Sequence, residues 1–299
     1  MKKDLLTIRD LSEEDIGTLV HRGLQLKALG RDVERSLTGY TTGLMFDKAS
    51  TRTRVSFQVA MAKLGGQTIF LSRADTQMSR DETIADTARV LSRYLDALVI
   101  RTYSQESIEE MSRWSDIPVI NALTDLYHPC QVLSDLMTVK EKRGSLNGLK
   151  VAWIGDGNNV AHSWIHAARV LRFELVLACP GGYRPLPQVL EGSGENIRVV
   201  EDPAEAARGA NVINTDVWAS MGQEDQKERK LRDFEGFQVN QALVRLADPD
   251  VLVMHCLPAH RGEEITSEVL DGPNSVVFDQ AENKLYLHQA LLERLLLDR

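Results

Sequence analysis

The chain has 299 residues, of which 43% are hydrophobic and 26% charged, and its net charge at pH 7 is -8. A chain of this length usually exceeds one hydrophobic core, so we expect a globular protein with two domains. The negative charge argues against nucleic acids and anionic membranes as partners, because binding to either needs a broad positive surface.

The N-terminal residues are charged and contain no apolar run long enough to act as a signal peptide or to cross a bilayer. We therefore expect a cytoplasmic protein without a membrane anchor. The three cysteines, Cys130, Cys179 and Cys256, lie far apart and include no Cys-x-x-Cys pair. This spacing argues against a disulfide framework and against a structural zinc site.

Apolar runs of strand length alternate with segments of helix length along the chain. The runs predict strands at 42–46, 67–71, 97–101, 118–121, 150–154, 174–178, 197–200, 211–214, 251–254 and 275–278. The segments between them predict helices at 51–64, 82–94, 105–115, 129–143 and 159–172. Such alternation is typical of an α/β fold, in which helices cover mainly parallel sheets on both faces.

The predicted strands divide into two sheets, and the helix at 129–143 with the polar turn after it is the best crossing point. We therefore expect two domains, 1–140 and 141–282, each with a mainly parallel sheet covered by helices on both faces. The last segment, about 283–299, carries leucines at helical spacing. It predicts a packed terminal helix, which we expect to dock back on the first domain.

Polar clusters follow several of the apolar runs, at the points where the predicted strands end. Ligands of open α/β sheets bind beyond the carboxyl ends of the strands, so these clusters are the candidate site residues. They are Ser50-Thr51-Arg52-Thr53-Arg54, Arg101-Thr102, His128-Pro129-Cys130-Gln131 and His255-Cys256-Leu257-Pro258.

The first cluster places two arginines, Arg52 and Arg54, at the predicted start of a helix. Cations are disfavoured there by the helix dipole, whereas a bound phosphate would suit both the arginines and the free backbone N–H groups. An ordinary Ser/Thr cap with exposed arginines explains the pentapeptide equally well. Arg101 ends one strand of the same predicted sheet, and His128 and Gln131 follow the next strand at a predicted helix start, so this convergence favours an anion site.

The stretch Phe46-x-Lys48-x-Ser50-Thr51-Arg52-Thr53-Arg54, together with His128-Pro129-x-Gln131, resembles the carbamoyl-phosphate signature of the aspartate/ornithine carbamoyltransferase family. The resemblance runs in order from about Phe46 to Asn283. It implies a first domain that binds carbamoyl phosphate and a second domain that binds the amino acid. Residues 155–163, 216–222 and 255–258 are similar to the ornithine branch, whereas the aspartate enzymes have a proline-glycine-proline type sequence in place of Cys256-Leu257-Pro258.

The resemblance implies transfer of the carbamoyl group of carbamoyl phosphate to the δ-amine of L-ornithine, which gives L-citrulline and phosphate in arginine metabolism. It implies carbamoyl-phosphate contacts from Ser50, Thr51, Arg52, Thr53, Gln77, Arg101, His128, Gln131, Cys256 and Leu257, with Gln77 reaching the site of a neighbouring subunit. Lys284 stands where many relatives have an arginine contact, and it keeps the charge but loses the planar fork. The family assembles as homotrimers or multiples of trimers, so shared active sites are expected.

Ornithine contacts implied by the resemblance are Asn159, Asp216, Ser220 and Met221. The attacking amine must be neutral, and Asp216 and Cys256 are suited to position it. Arg101 and His128 are suited to donate hydrogen bonds to the carbonyl oxygen as it becomes an oxyanion. No metal and no cofactor are expected, because carbamoyl phosphate is already an activated electrophile.

The sequence also has features of two other classes of protein. Gly155-Asp156-Gly157 follows an apolar run, as in the dinucleotide fingerprint of nicotinamide dehydrogenases, but Val160 stands where the third glycine should be. The chain could also be a catalytically silent protein that binds carbamoyl phosphate. The intact acceptor motifs at 216–222 and 255–258 argue against this second alternative.

Overall fold

The computed structural model of the chain describes residues 4–72, 82–219 and 227–297. Within these ranges the backbone forms nine strands, twelve α-helices and one short 3-10 helix, Ile8–Asp10. The chain divides into two units, one comprising Met1–Met137 with Glu282–Arg299 and the other Thr138–Ala281.

The sheet of the first unit has four parallel strands in the order β2-β1-β3-β4. The strands are β1 (Thr41–Phe46), β2 (Gln67–Ser72), β3 (Ala97–Arg101) and β4 (Val119–Leu123). All five residues of β3 are buried, as expected for a strand covered on both faces. In the ladder Phe46 lies beside Arg101, and Arg101 lies beside Leu123, so the ends of three strands share one edge.

The helices of this unit are α1 (Glu13–Leu29), α2 (Thr51–Lys63), α3 (Ile84–Leu91), α4 (Gln105–Trp114), the first part of α5 (Pro129–Arg143) and most of α12 (Val277–Leu297). Helix α12 is joined to α1 by an ion pair in which Arg22 Nε lies 2.7 Å from Glu293 Oε2. A Cβ on Gly23 of α1 would lie 2.8 Å from the Met137 Sδ of α5. The absence of a side chain at Gly23 therefore leaves room for the Met137 side chain against α1.

The second unit has a sheet of five parallel strands in the order β7-β6-β5-β8-β9. These strands are β5 (Lys150–Ile154), β6 (Glu174–Ala178), β7 (Ile197–Val200), β8 (Val212–Thr215) and β9 (Leu252–His255). The helices are α6 (Asn159–Leu171), α7 (Pro187–Leu190), α8 (Pro203–Ala207), α9 (Lys227–Asp233), α10 (Gln241–Val244) and α11 (Ser267–Leu270). The strand order reverses between β5 and β8, which is where open sheets of this kind bind ligands.

The predicted α/β fold with two mainly parallel sheets is confirmed. The strand predicted at 275–278 is wrong, because helix α12 begins at Val277. Ser275 forms only an isolated bridge with Val253, and the apolar run then continues into the helix. Among the described residues, none of the helices combines the length and the apolar character that a membrane span requires.

Candidate active site

The start of α2 has the features of an anion site. The Ser50 hydroxyl caps the helix by accepting a hydrogen bond of 3.3 Å from the Thr53 N–H, and the first turn contains no acidic residue. Arg52 is exposed, whereas the Arg54 guanidinium lies over the Phe70 ring with 3.6 Å between its carbon and the ring centroid. The Arg54 guanidinium therefore packs on a side chain of β2, and Arg52 is the arginine nearer the first residue of the helix.

Arg101 and His128 lie at the same sheet edge. Arg101 is the last residue of β3 and is 7% exposed, and its carbonyl accepts a hydrogen bond from the Asp47 N–H just beyond β1. His128 precedes Pro129, the first residue of α5, and this helix also has no acid in its first turn. Burial, and after it the positive charges of Lys284 and Arg101, lowers the pKa of His128 well below its ordinary value of 6.5. The imidazole is therefore neutral at physiological pH, and it can donate a hydrogen bond without carrying a charge.

Lys284 belongs to the same group of side chains. Its ammonium donates to Gln131 Oε1 at 2.9 Å and contacts the Thr53 hydroxyl at 3.4 Å. The Gln131 amide nitrogen in turn donates to Asp135 Oδ1 at 2.8 Å, which fixes the orientation of the amide. A buried lysine thus adds positive charge close to the starts of α2 and α5.

In the second unit, Asp216 follows β8 directly, and its carboxylate accepts hydrogen bonds from three neighbouring groups. Oδ1 accepts hydrogen bonds from the Val217 N–H at 2.8 Å and from the Cys256 thiol at 3.0 Å. Oδ2 accepts from the Asn158 amide at 2.9 Å. The ends of β5, β8 and β9 therefore meet at one carboxylate, and the thiol of Cys256 is held as a donor to it.

The three cysteines differ in their surroundings. Cys130 is buried, and burial raises the pKa of its thiol to about 12. Burial also raises the pKa of the Cys179 thiol. Cys256 alone of the three is partly exposed, so it is the cysteine that a ligand can reach.

A buried hydrogen-bond chain shapes the turn after β9. Leu257 has a positive φ of 57°, and its N–H donates to His255 Nδ1 at 2.9 Å. Because Nδ1 accepts, the proton of the neutral ring is on Nε2, which lies 3.0 Å from Glu264 Oε1. This chain fixes the turn that carries Cys256 and Leu257.

Asn159 is the first residue of α6 and is half-buried. The preceding Asn158 caps that helix through its Oδ1, which accepts from the Val160 and Ala161 N–H groups. At Gly157 a Cβ would lie only 2.2 Å from the Pro185 backbone nitrogen. Gly157 is therefore required because the backbone at Pro185 approaches it closely. Since this approach explains the glycine without a bound ligand, the main support for a pyrophosphate-binding turn is removed.

Three of the predicted site residues, Gln77, Ser220 and Met221, lie outside the described residues. Lys284 lies within α12, and the other predicted residues occupy the strand ends and helix starts described above. The sequence interpretation assigned no role to Asn158 or Glu264, and it named His255 only as part of the cluster after the predicted strand. Asn158 carried a usable signal, because it immediately precedes a predicted helix and is of a type that caps helices.

Two groups of side chains in the described parts of the chain have potential metal ligands within 4.8 Å of one another: Asp216 with His255 and Cys256, and His260 with Glu263 and Glu264. In the first group, Leu257 and Glu264 already engage both ring nitrogens of His255. The expectation that catalysis uses no metal stays a prediction.

Comparison with known proteins identifies the family. The family description "Aspartate/ornithine carbamoyltransferase, carbamoyl-P binding domain" matches residues 3–141, and the "Asp/Orn binding domain" of the same family matches residues 147–295. The ornithine carbamoyltransferase of Desulfotalea psychrophila is 51% identical, covering 99% of this chain and 100% of its own length. The solved ornithine carbamoyltransferase from Pyrococcus furiosus is 48% identical with a TM-score of 0.93, covering 98% of this chain and 96% of its own. The anabolic ornithine carbamoyltransferase from Campylobacter jejuni is 42% identical with a TM-score of 0.93, over 100% of both chains.

Proposed function

The chain belongs to the aspartate/ornithine carbamoyltransferase family, and we propose that it transfers the carbamoyl group of carbamoyl phosphate to the δ-amine of L-ornithine. The products are L-citrulline and phosphate. The observation that carries the proposal is the edge of the first sheet, where two helix starts without acidic residues adjoin Arg101, His128 and Lys284. Such an edge suits a small dianion next to a carbonyl group.

We assign carbamoyl phosphate to the first unit. The N–H groups at the start of α2, with Arg52, are suited to the phosphate, since both stabilise negative charge there. Arg101 and the neutral His128 are suited to donate to the carbonyl oxygen, where charge develops in the transition state. The Gln131 amide oxygen faces Lys284. In this orientation the oxygen can also accept a hydrogen bond from the carbamoyl NH2 group.

We assign L-ornithine to the second unit, with Asn159, Asp216, Ser220 and Met221 as its contacts. The Asp216 carboxylate accepts hydrogen bonds from three donors, so its oxygens are positioned to attract an ammonium group of the amino acid. Cys256 is held against the same carboxylate, and its sulfur is suited to position the δ-amine. Leu257 is placed beside it by the His255 ring.

The proposed reaction begins with ornithine whose δ-amine has lost its proton. The nitrogen lone pair attacks the carbonyl carbon of carbamoyl phosphate, a C–N bond forms, and the carbonyl oxygen becomes an oxyanion. The C–O bond to phosphate then breaks and the carbonyl is restored. The nitrogen loses its second proton, and the balance is closed because the phosphate leaves as hydrogen phosphate. No oxidant, reductant or cofactor is needed for this balance.

We also propose that the enzyme is a homotrimer or a multiple of trimers, with Gln77 contributing to a neighbouring subunit's site. This rests on the family resemblance of the stretch around Gln77. We further propose that it acts in the cytoplasm, where reducing conditions keep the Cys256 thiol free. Its place would be arginine metabolism in the biosynthetic direction, which is the direction named for the Campylobacter jejuni relative.

A colorimetric citrulline assay tests the function. The purified protein is supplied with carbamoyl phosphate and, in separate reactions, ornithine, aspartate, putrescine or an N-acylated ornithine, and carbamoylated product and phosphate are measured. We expect rapid citrulline formation with L-ornithine alone. Citrulline at the level of a heat-killed control would refute the proposal, and preferential use of another acceptor would correct the substrate.

A further inference from the structure

The turn that follows β9 carries a cluster of His260, Glu263 and Glu264, which we call the turn cluster. We infer that the turn cluster binds a divalent transition-metal cation of the Zn2+ type. This site is separate from the groups assigned above to carbamoyl phosphate and ornithine.

The ligand atoms of the turn cluster already converge. His260 Nδ1 lies 3.6 Å from Glu263 Oε2 and 3.9 Å from Glu264 Oε2, and one ligand atom from each residue lies within 4.8 Å of the other two. Bond lengths of about 2.0–2.1 Å to a tetrahedral Zn2+ place its ligand atoms about 3.4 Å apart. Small side-chain adjustments would therefore suffice to bring all three onto one ion.

Glu264 points to a ligand independently of the clustering. The residue is fully buried, with 0% of its surface exposed. Its Oε1 accepts from the His255 ring and from the His260 N–H. Its Oε2 is buried and has no hydrogen-bond partner among the described residues, and the same is true of His260 Nδ1. A buried carboxylate oxygen without a donor is costly, and a bound cation would remove that cost.

The backbone of the turn is fixed by residues outside the turn cluster. The Gln238 amide donates to the carbonyls of Gly262 and Glu263 at 2.7 and 2.9 Å. Arg261 is anchored by hydrogen bonds to Asp271. These contacts reduce the ordering that metal binding would require.

The donor set selects the class of cation. One imidazole nitrogen with two carboxylate oxygens suits Zn2+ and its neighbours in the transition series, whereas Ca2+ and Mg2+ prefer oxygen ligands alone. Lys227 pairs with Glu263 Oε1 at 2.7 Å and leaves Oε2 facing the imidazole. The two carboxylates bring negative charge to the ion, and part of the charge of Glu263 is already offset by Lys227. The imidazole is 40% exposed, so solvent can supply the remaining ligand.

The cation would share Glu264 with the turn that holds Cys256 and Leu257. One oxygen of Glu264 faces the turn cluster, and the other holds His255, which accepts from the Leu257 N–H. A metal ion here would therefore act on the arrangement of Cys256 and Leu257 through a single shared carboxylate.

Zn2+ titration by calorimetry tests the inference without any need for turnover, so its failure is distinguishable from failure of the proposed function. The titration is made on the full chain carrying Cys256→Ser, which removes the thiol of the neighbouring group. His260→Ala and Glu263→Gln are then added singly, and His21→Ala, an exposed histidine of the other unit, is the matched control. Co2+ titration of the chain with Cys256 intact reports the ligand type, because a coordinated thiolate gives a near-ultraviolet charge-transfer band.

We expect one Zn2+ per chain, with affinity lowered about 10- to 100-fold by His260→Ala and by Glu263→Gln and unchanged by His21→Ala. We also expect Co2+ bands in the visible range without the thiolate band. Absence of binding would show that the turn cluster is only an ion-paired surface turn and would overturn the inference. Binding that ignores both ligand variants, or that disappears with Cys256→Ser, would also overturn it.

Discussion

The Asp216 carboxylate offers the sharpest test of the candidate ornithine site. In Asp216→Asn one oxygen becomes an NH2 group, while the three neighbouring donors of the Val217 backbone, Cys256 and Asn158 remain. If the new NH2 faces Asn158, two amide donors meet at about the present 2.9 Å separation. If the amide is flipped, the NH2 faces the Val217 N–H and the Cys256 thiol. Neither orientation satisfies all three donors.

An unmatched buried donor should lower the free energy of unfolding of the variant by about 1–3 kcal/mol. The variant also loses the negative charge that attracts an ammonium group, and we expect this loss to cost about 3 kcal/mol of transition-state binding, a fall of roughly 150-fold in kcat/KM for ornithine. The KM for carbamoyl phosphate should change little, because Asp216 is assigned to ornithine alone.

Steady-state citrulline formation, measured with each substrate varied in turn, gives both constants. Asp250→Asn is the matched control, since it makes the same chemical change at an exposed position of the same unit. Circular dichroism and thermal unfolding show whether Asp216→Asn is folded. A folded variant with the wild-type kcat/KM for ornithine would refute the assignment of Asp216, and an equal loss for both substrates would refute its restriction to the amino acid.

Three further predictions concern the first unit. Arg52→Ala should raise the KM for carbamoyl phosphate and lower kcat in the citrulline assay. Arg54→Ala should leave both constants unchanged and lower the free energy of unfolding by about 0.5–1 kcal/mol, because it loses a contact with an aromatic ring. Identical kinetics for the two variants would contradict this distinction. Lys284→Met removes an ammonium that donates to a buried amide at 2.9 Å, so the KM for carbamoyl phosphate should rise about 10- to 100-fold, and an unchanged KM would exclude Lys284 from that site. Burial, and after it neighbouring positive charge, lowers the pKa of His128 and His288 well below 6.5, so unfolding takes up protons below that pH. The free energy of unfolding should therefore fall as the pH drops below about 6.5, by up to about 1.4 kcal/mol per pH unit for each histidine. Urea unfolding at about pH 7 and about pH 5.5 measures this slope, and His288→Gln should make it shallower.

The sequence predicted the residues at strand ends more reliably than it predicted the hydrogen bonds that hold those residues in place. Arg101 and His128 each follow an apolar run, and parallel strands must bring such ends to one edge. The link from His255 to Glu264 gave no comparable signal, because it depends on how the chain turns after β9. The wrong strand at 275–278 shows why a short window of sequence is not sufficient. A short apolar run is compatible with a strand and with the start of a helix.

Lys284 illustrates the same limit at the level of a single residue. The sequence showed a lysine where relatives have an arginine, and propensity or spacing could say nothing about its partners. The structure gives it a hydrogen bond to Gln131, 153 positions away in the chain. Contacts at such separation follow from helix packing, which no short window of sequence contains.

The sequence alone determined the α/β class, the order of most elements and the kinds of side chain at each strand end. It could do so because the period of the apolar residues sets the element type, and the sense of a parallel sheet sets where strands end. The tertiary structure decided which of those side chains are neutral, charged or hydrogen-bonded. His128 is neutral because it is buried near two cations, and Asp216 holds a thiol because β8 and β9 are adjacent. Both properties depend on neighbours brought together only when the sheets form.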